Sequence, residues 1–273
     1  MRRLGVADPA DITVSENQRL KKEVRDLRAR VEAFESSRWW RLHPRSLLRR
    51  RRPPRPRQEG TVAAAPRTDD SVTARFRTDV VARGTFSEDW FTVHIPIWER
   101  VMRELEGRQA RILELGSFEG LSACFLLWRL PDARLTCVDT FAGIAGYEAY
   151  GIETTELERR FDANAALVDS ARVRKLVGTT HRVLPELVDE AEPFDLVYVD
   201  ASHTALDVLA DVALAWQLLA TGGVMIFDDY GGAPPGEDPL EYPKPAIDAF
   251  LTLVAGRYDE LDRTRQLIAR KTG

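Results

Sequence analysis

Several groups of residues in this 273-residue chain have the types and spacing to do chemistry, and each follows a short apolar run. Asp200-Ala-Ser-His203 follows the run 194–199, and Asp228-Asp229-Tyr230 follows the run 223–227. Three carboxylates brought to neighbouring strand ends repel one another, and each raises the pKa of the next. A hard divalent cation relieves that repulsion, and oxygen donors suit Mg²⁺. Asp200, Asp228 and Asp229 are therefore candidate metal ligands. The plain alternative is that one or two of them cap the following helices or bind loop amides. His203 stands three residues after Asp200. An imidazole of ordinary pKa near 6.5 can take a proton at neutral pH, so His203 and Asp200 are the candidate catalytic pair. A histidine that is merely structural or exposed is the competing reading.

A second group lies earlier. Glu114-Leu-Gly116-Ser117-Phe-Glu-Gly120 follows an apolar run and precedes another. Glycines in such a turn let the backbone approach a ligand, and the helix N-terminus after it favours an anion. The G-x-G-x-x-G spacing of a dinucleotide site is absent. Asp139, with Thr140 beside it, ends the next run, 23 residues after Gly116. An acid there can accept hydrogen bonds from both hydroxyls of a ribose. Gly178-Thr179-Thr180-His181 follows a third run. Thr179 and Thr180 can bond a base, or Thr180 can cap the next helix.

These groups need elements to hold them. Short apolar runs at 111–115, 134–138, 173–177, 194–199 and 223–227 read as strands. Segments 121–130, 181–190, 205–219 and 245–255 read as helices, and 258–271 as a closing hairpin. Strands alternating with helices predict an α/β fold, a mainly parallel sheet with helices on both faces. Ligands of such sheets bind outside the carboxyl ends of the strands, where these residues fall.

The E-x-G-x-x-x-G turn resembles the first motif of the class I S-adenosylmethionine-dependent methyltransferases. The resemblance implies a Rossmann-like sheet of seven strands and a cofactor bound by Glu114, Gly116, Ser117, Gly120, Asp139, Thr140, Thr179 and Asp200. Residues 86–271 further resemble the metal-dependent O-methyltransferase branch, whose members act on catechols or macrolide sugars. In that branch an acid after strand four and an Asp-Asp or Asp-Asn pair after strand five hold Mg²⁺. Asp200, Asp228 and Asp229 occupy those places. His203 matches the general base of the sugar-modifying members, whereas the catechol enzymes have lysine there. The resemblance thus implies methylation of a sugar hydroxyl on a surface glycan precursor or a glycosylated small molecule. A metal-independent methyltransferase of other small molecules, or a non-catalytic scaffold, are the alternatives.

Around this centre, Asp89-Trp90-Phe91 and His94-Ile-Pro96 are expected to close over the cofactor or to pack as a helix on the sheet. The glycine-rich stretch 141–155, with Tyr147 and Tyr150, reads as a lid whose tyrosines can stack on a sugar. The stretch 231–239 reads as a wall of the acceptor pocket. Cys124 and Cys137 read as core.

The net charge of −4 conceals a division: residues 1–60 carry +9 and the remainder −13. Residues 1–14 read as a disordered tail. The segment 15–52 joins a coiled-coil-like helix to a basic, aromatic stretch. Asn17, Leu20, Val24, Leu27, Val31 and Phe34 form an a/d seam, which implies self-association through 15–35 or packing on the chain's own domain. Residues 38–57 hold nine arginines and no acid, with Trp39 and Trp40 among them. Such a stretch suits an anionic membrane surface or a partner protein. No nucleic-acid fold signature accompanies it, which argues against nucleic acid as partner. Together with Ser37-Arg38-Trp39-Trp40-Arg41-Leu42-x-Pro44, the seam resembles N-terminal pieces of some bacterial glycan-assembly enzymes. Residues 53–84, rich in proline and alanine, read as a linker before a domain at 85–273. Two cysteines exclude a disulfide scaffold, and no apolar run is long enough for a membrane span. The expected location is cytoplasmic, peripheral at the inner membrane face.

Overall fold

The computed structural model describes residues 71–143, 147, 151–231 and 237–273. The expectations for 1–70, including the seam and the arginine-rich stretch, lie outside the described residues.

The first described element corrects the linker boundary. Ser71 Oγ accepts from the Ala74 amide and starts helix α1, Val72–Phe76, which continues as a wider turn through Val81. Phe76 and Val80 are buried, and Phe76 packs edge-on to Phe125 at 5.2 Å. Two apolar side chains four residues apart, flanked by polar ones, suffice to dock a short helix; the prolines that suggested a linker all lie upstream.

Residues 95–105 form helix α2, Ile95–Leu105, which packs on the sheet, the second of the two roles expected for this region. It buries Ile95, Trp98, Val101, Met102 and Leu105, the i, i+3, i+4 spacing of one helical face. The core elements then follow in the expected order: β1 (Arg111–Leu115), α3 (Leu121–Arg129), β2 (Arg134–Asp139), α4 (Leu157–Ala166), β3 (Val173–Val177), α5 (Thr180–Glu190), β4 (Phe194–Val199), α6 (Ala205–Leu218), β5 (Leu219–Phe227), α7 (Lys244–Leu253), β6 (Tyr258–Arg263) and β7 (Leu267–Lys271). Helix α4 was not anticipated, because its apolar residues Leu157, Phe161 and Ala165 are spread among charges. Strand β5 starts four residues before the expected Gly223. Its pairing with β4 jumps from Phe194↔Leu219 to Leu196↔Val224, so Ala220–Gly223 bulge out of register.

The sheet has seven strands in the order β3-β2-β1-β4-β5-β7-β6. Strands β1 to β5 are parallel, and β7 is antiparallel to both β5 and β6. Successive side chains of a strand point to opposite faces. Ile112, Leu135, Leu196, Tyr198 and Ile226 therefore share one apolar layer with α1 to α4, and Leu113, Val138, Val197, Met225 and Phe227 share another with α5 to α7. The strand order reverses between β1 and β4, which opens a crevice at their carboxyl ends.

Candidate active site

The glycine turn is built from below and from the side. Glu114 is fully buried, and its carboxylate accepts from Ser117 Oγ and Ser122 Oγ, each at 2.6 Å. Burial raises its pKa, and the two hydroxyls partly offset that. With no exposed atom, Glu114 shapes the turn rather than touching a ligand, a correction to its expected role. Ser117 is likewise buried and spends its hydroxyl on Glu114. Gly116 has φ +82°, and a Cβ there would lie 2.1 Å from the Asp200 carbonyl oxygen. Only glycine allows the β1 and β4 loops to pass this closely. Gly120, at φ +81°, starts α3 beneath Phe161, which a Cβ would approach to 2.9 Å.

Asp139 sits where β2 ends, and its carboxylate is already engaged. Oδ2 accepts from the amides of Ser117 (2.7 Å) and Phe118 (2.8 Å), and Oδ1 from that of Phe141 (2.6 Å). A carboxylate offers about four lone-pair positions. One is left, so a ribose engaging both hydroxyls would displace a loop amide. Thr140 Oγ1 accepts from the Ala142 amide. Thr179, not Thr180, holds the N-cap position of α5, without a side-chain cap; its hydroxyl lies 3.2 Å from His181 Nε2. Thr180 instead bonds the side chain of Asp211.

The acidic residues meet at the ends of β4 and β5. Asp200 Oδ1 lies 3.8 Å from His203 Nε2, and Asp229 Oδ2 lies 3.7 Å from the same nitrogen. Ligand atoms from Asp200, His203 and Asp229 all fall within 4.8 Å of one another. Asp228, expected as a metal ligand, is turned away. Its Oδ2 accepts from Tyr198 Oη at 2.6 Å, and its Oδ1 from Gln266 Nε2 and the Asp229 amide. Adjacent residues of a strand face opposite sides, and Asp229, at φ +50°, turns off the strand line toward His203. The sequence offered no sign of which acid of the pair would face the crevice.

This cluster is short of positive charge. Asp200 is pushed far above the carboxylate range by burial and by Asp228, and Asp229 is raised for the same reasons. The neighbouring Asp200 carboxylate, with Asp229 adding, lifts His203 to about 9. Beside these bare carboxylates the ring holds its proton at pH 7. Proton acceptance at Nε2 requires another positive charge to take over its pairing with Asp200 and Asp229.

Sequence reasoning missed Tyr198, Gln266 and Glu119. Tyr198 Oη is within 2.8 Å of Asp200 and 2.6 Å of Asp228. Glu119, fully buried, accepts from Ser87 and from Arg160 Nη1 at 2.6 Å, which ties the glycine turn to α4. Tyr198 read as one more apolar strand residue, and only a strand-four tyrosine two residues before an acid hints otherwise.

The flanking aromatics divide. Phe91 and His94 are buried under α2. Trp90 is exposed and rests on Phe118 of the glycine turn (5.4 Å) and on Tyr147 (6.1 Å). Burial, with Asp200 and Asp139 adding, raises the Tyr147 phenol, which places it beside the crevice. Tyr150 and residues 232–236 lie outside the described residues. Cys124 and Cys137 are buried, as expected.

Residues 113–230 match a family described as a methyltransferase domain. That match spans less than half of the chain. The chain's fold, the class I methyltransferase sheet, is shared by the O-methyltransferase TomG from Streptomyces achromogenes, involved in tomaymycin synthesis and solved with SAM. The two are 25% identical, the match covers 65% of this chain and 80% of TomG, and the TM-score is 0.50. The methyltransferase MycE of the mycinamycin biosynthetic pathway, solved with Mg, SAH and mycinamycin VI, matches 75% of this chain and 54% of its own at 15% identity and a TM-score of 0.53. That likeness is one of fold. The O-methyltransferase hkm8 of Aspergillus hancockii is 31% identical over 127 residues, 46% of this chain. The chain spans 44% of that relative's length. The matched residues 113–230 run from within β1 to just beyond the end of β5 and include Asp139, Asp200, Asp228 and Asp229.

Proposed function

We propose that this chain is an S-adenosylmethionine-dependent O-methyltransferase that uses Mg²⁺ to methylate a sugar hydroxyl of a glycan precursor or glycosylated small molecule. The observation that carries the reading is the meeting of Asp200, Asp229 and His203 within 4.8 Å, beside the turn that Gly116 brings against Asp200.

The residues fit both groups. Gly116 and Gly120, both at positive φ, and the Ser117 and Phe118 amides held by Asp139 shape the turn at the end of β1, suited to the cofactor. Asp200 and Asp229 would hold Mg²⁺, whose preference for oxygen leaves the His203 nitrogen free. When bound, the cofactor supplies an electrophilic methyl group, and the metal favours the acceptor's alkoxide. With a cation in its place against Asp200 and Asp229, His203 would be neutral and its Nε2 would take the hydroxyl proton. Asp139 holds the glycine turn through the Ser117 and Phe118 amides, so much of the proposed work is positioning. His203, where the catechol branch has lysine, supports a sugar acceptor.

One observation favours a metal-independent reading: the His203 imidazolium already lies between Asp200 and Asp229 and balances part of their charge. Methyl transfer assayed in EDTA and again with added Mg²⁺ separates the two. Full activity in chelator removes the metal role.

The basic segment 38–57 is proposed to hold the enzyme at an anionic membrane face or a partner, and 15–35 to pair copies. No described helix is long and apolar enough to cross a membrane.

A further inference from the structure

A chain of contacts runs from the core of α2 to the acid cluster. Trp98 is fully buried, and its indole N–H donates to Gln266 Oε1 at 2.7 Å. That bond fixes the amide's orientation, because the indole can only donate. Gln266 Nε2 must then face Asp228 Oδ1, to which it donates at 3.1 Å. With the Asp229 amide on the same oxygen, Asp228 is saturated on that side. Its other oxygen receives Tyr198 Oη, which also reaches Asp200 Oδ2. The Tyr198 ring returns to pack edge-on against Trp98, with centroids 4.8 Å apart. The path closes on itself and includes no exposed group before Asp200.

A phenol has one proton, yet this one serves two carboxylates. Without it, Asp200 and Asp228 would face each other with nothing between them. With it, Asp200 spends Oδ2 on the phenol and turns Oδ1 toward His203 and Asp229. We infer that Tyr198 is a positioning residue that aims the Asp200 carboxylate at the cation, and that Trp98 and Gln266 hold Tyr198 in register through Asp228. The inference rests on the metal reading above. It makes the packing of α2 part of the cation site, although no residue of α2 meets the cation.

Titration of the full chain with Mn²⁺, followed by electron paramagnetic resonance, tests this without any methyl transfer. Partners behind metal ligands typically contribute about 10–100-fold in metal affinity. Tyr198→Phe should weaken Mn²⁺ binding by about that factor while S-adenosylmethionine affinity stays within about twofold. Trp98→Phe keeps an aromatic ring in the core but removes the indole N–H along with part of the ring, so it probes the same path from its far end once circular dichroism shows the variant folded. It should weaken Mn²⁺ binding several-fold, and it decides the matter if Tyr198→Phe does not fold. Unaltered Mn²⁺ affinity in the folded variants would overturn the positioning role and leave the metal reading standing. No Mn²⁺ binding by the unaltered chain would overturn the metal reading, and the inference with it.

Discussion

The backbone of Gly116 and the carbonyl of Asp200 pass so closely that a Cβ on Gly116 would lie 2.1 Å from the Asp200 oxygen. The turn that would cradle the cofactor and the loop that would hold the cation are thus one packed unit. Gly116→Ala must strain φ and push the β4 loop aside at once. It should destabilise the fold by about 1–3 kcal/mol, the usual cost of such strain, read by chemical denaturation. The same variant should weaken both S-adenosylmethionine and Mn²⁺ binding in calorimetry; an effect on neither would show that the contact is incidental.

His203 stands between two carboxylates and is assigned the acceptor's proton. His203→Ala should lower turnover on the order of 10²–10⁴-fold, the usual contribution of a positioned base. Cofactor affinity should change little, since the glycine turn does not touch the ring. Unchanged turnover would refute the assignment.

Asp211 gives a pH-dependent stability away from the site. It is buried in α6, and its Oδ2 has no hydrogen-bond partner. Burial, only partly offset by Thr180, lifts its pKa from 3.8 to about 6. Below pH 4 both folded and unfolded chains hold the proton. Between about 4 and 6 only the folded chain does, so stability falls as pH rises through that window and stays lower above it. The loss by pH 7 is about 2–3 kcal/mol. Asp211→Asn should flatten that slope in denaturation curves from pH 4 to 7. An identical slope in both proteins would mean that Asp211 is not the group responsible.

Deleting residues 1–60 removes +9 of charge and leaves the seven-stranded sheet and its helices whole. Methyl transfer in solution should persist, while sedimentation with anionic liposomes or the oligomeric state should change. If neither changes, the segment has no part in location or assembly.

The five parallel strands were legible because each is a short run rich in apolar residues and closed by glycine or aspartate. Helix α4 was not, since its stripe of Leu157, Phe161 and Ala165 is interrupted by charges and shows only against the sheet. Helix α1 was hidden beside a proline-rich stretch, yet two residues, Phe76 and Val80, dock it. At the site, the residue types were readable but not their directions. Asp228 and Asp229 are neighbours, and only the left-handed turn at Asp229 decides which one meets His203. Glu114 belongs to the glycine motif, but its burial makes it a support. Tyr198 was nearly hidden, since a strand tyrosine reads as core until its hydroxyl is seen between two acids.

The most direct measurement is acceptor-dependent conversion of S-adenosylmethionine to S-adenosylhomocysteine, across nucleotide sugars, lipid-linked sugars and glycosides, in EDTA and with added Mg²⁺. The predicted result is turnover with at least one sugar acceptor, abolished by EDTA and restored by Mg²⁺. Turnover that persists undiminished in EDTA, or turnover only with acceptors that carry no sugar, would contradict it.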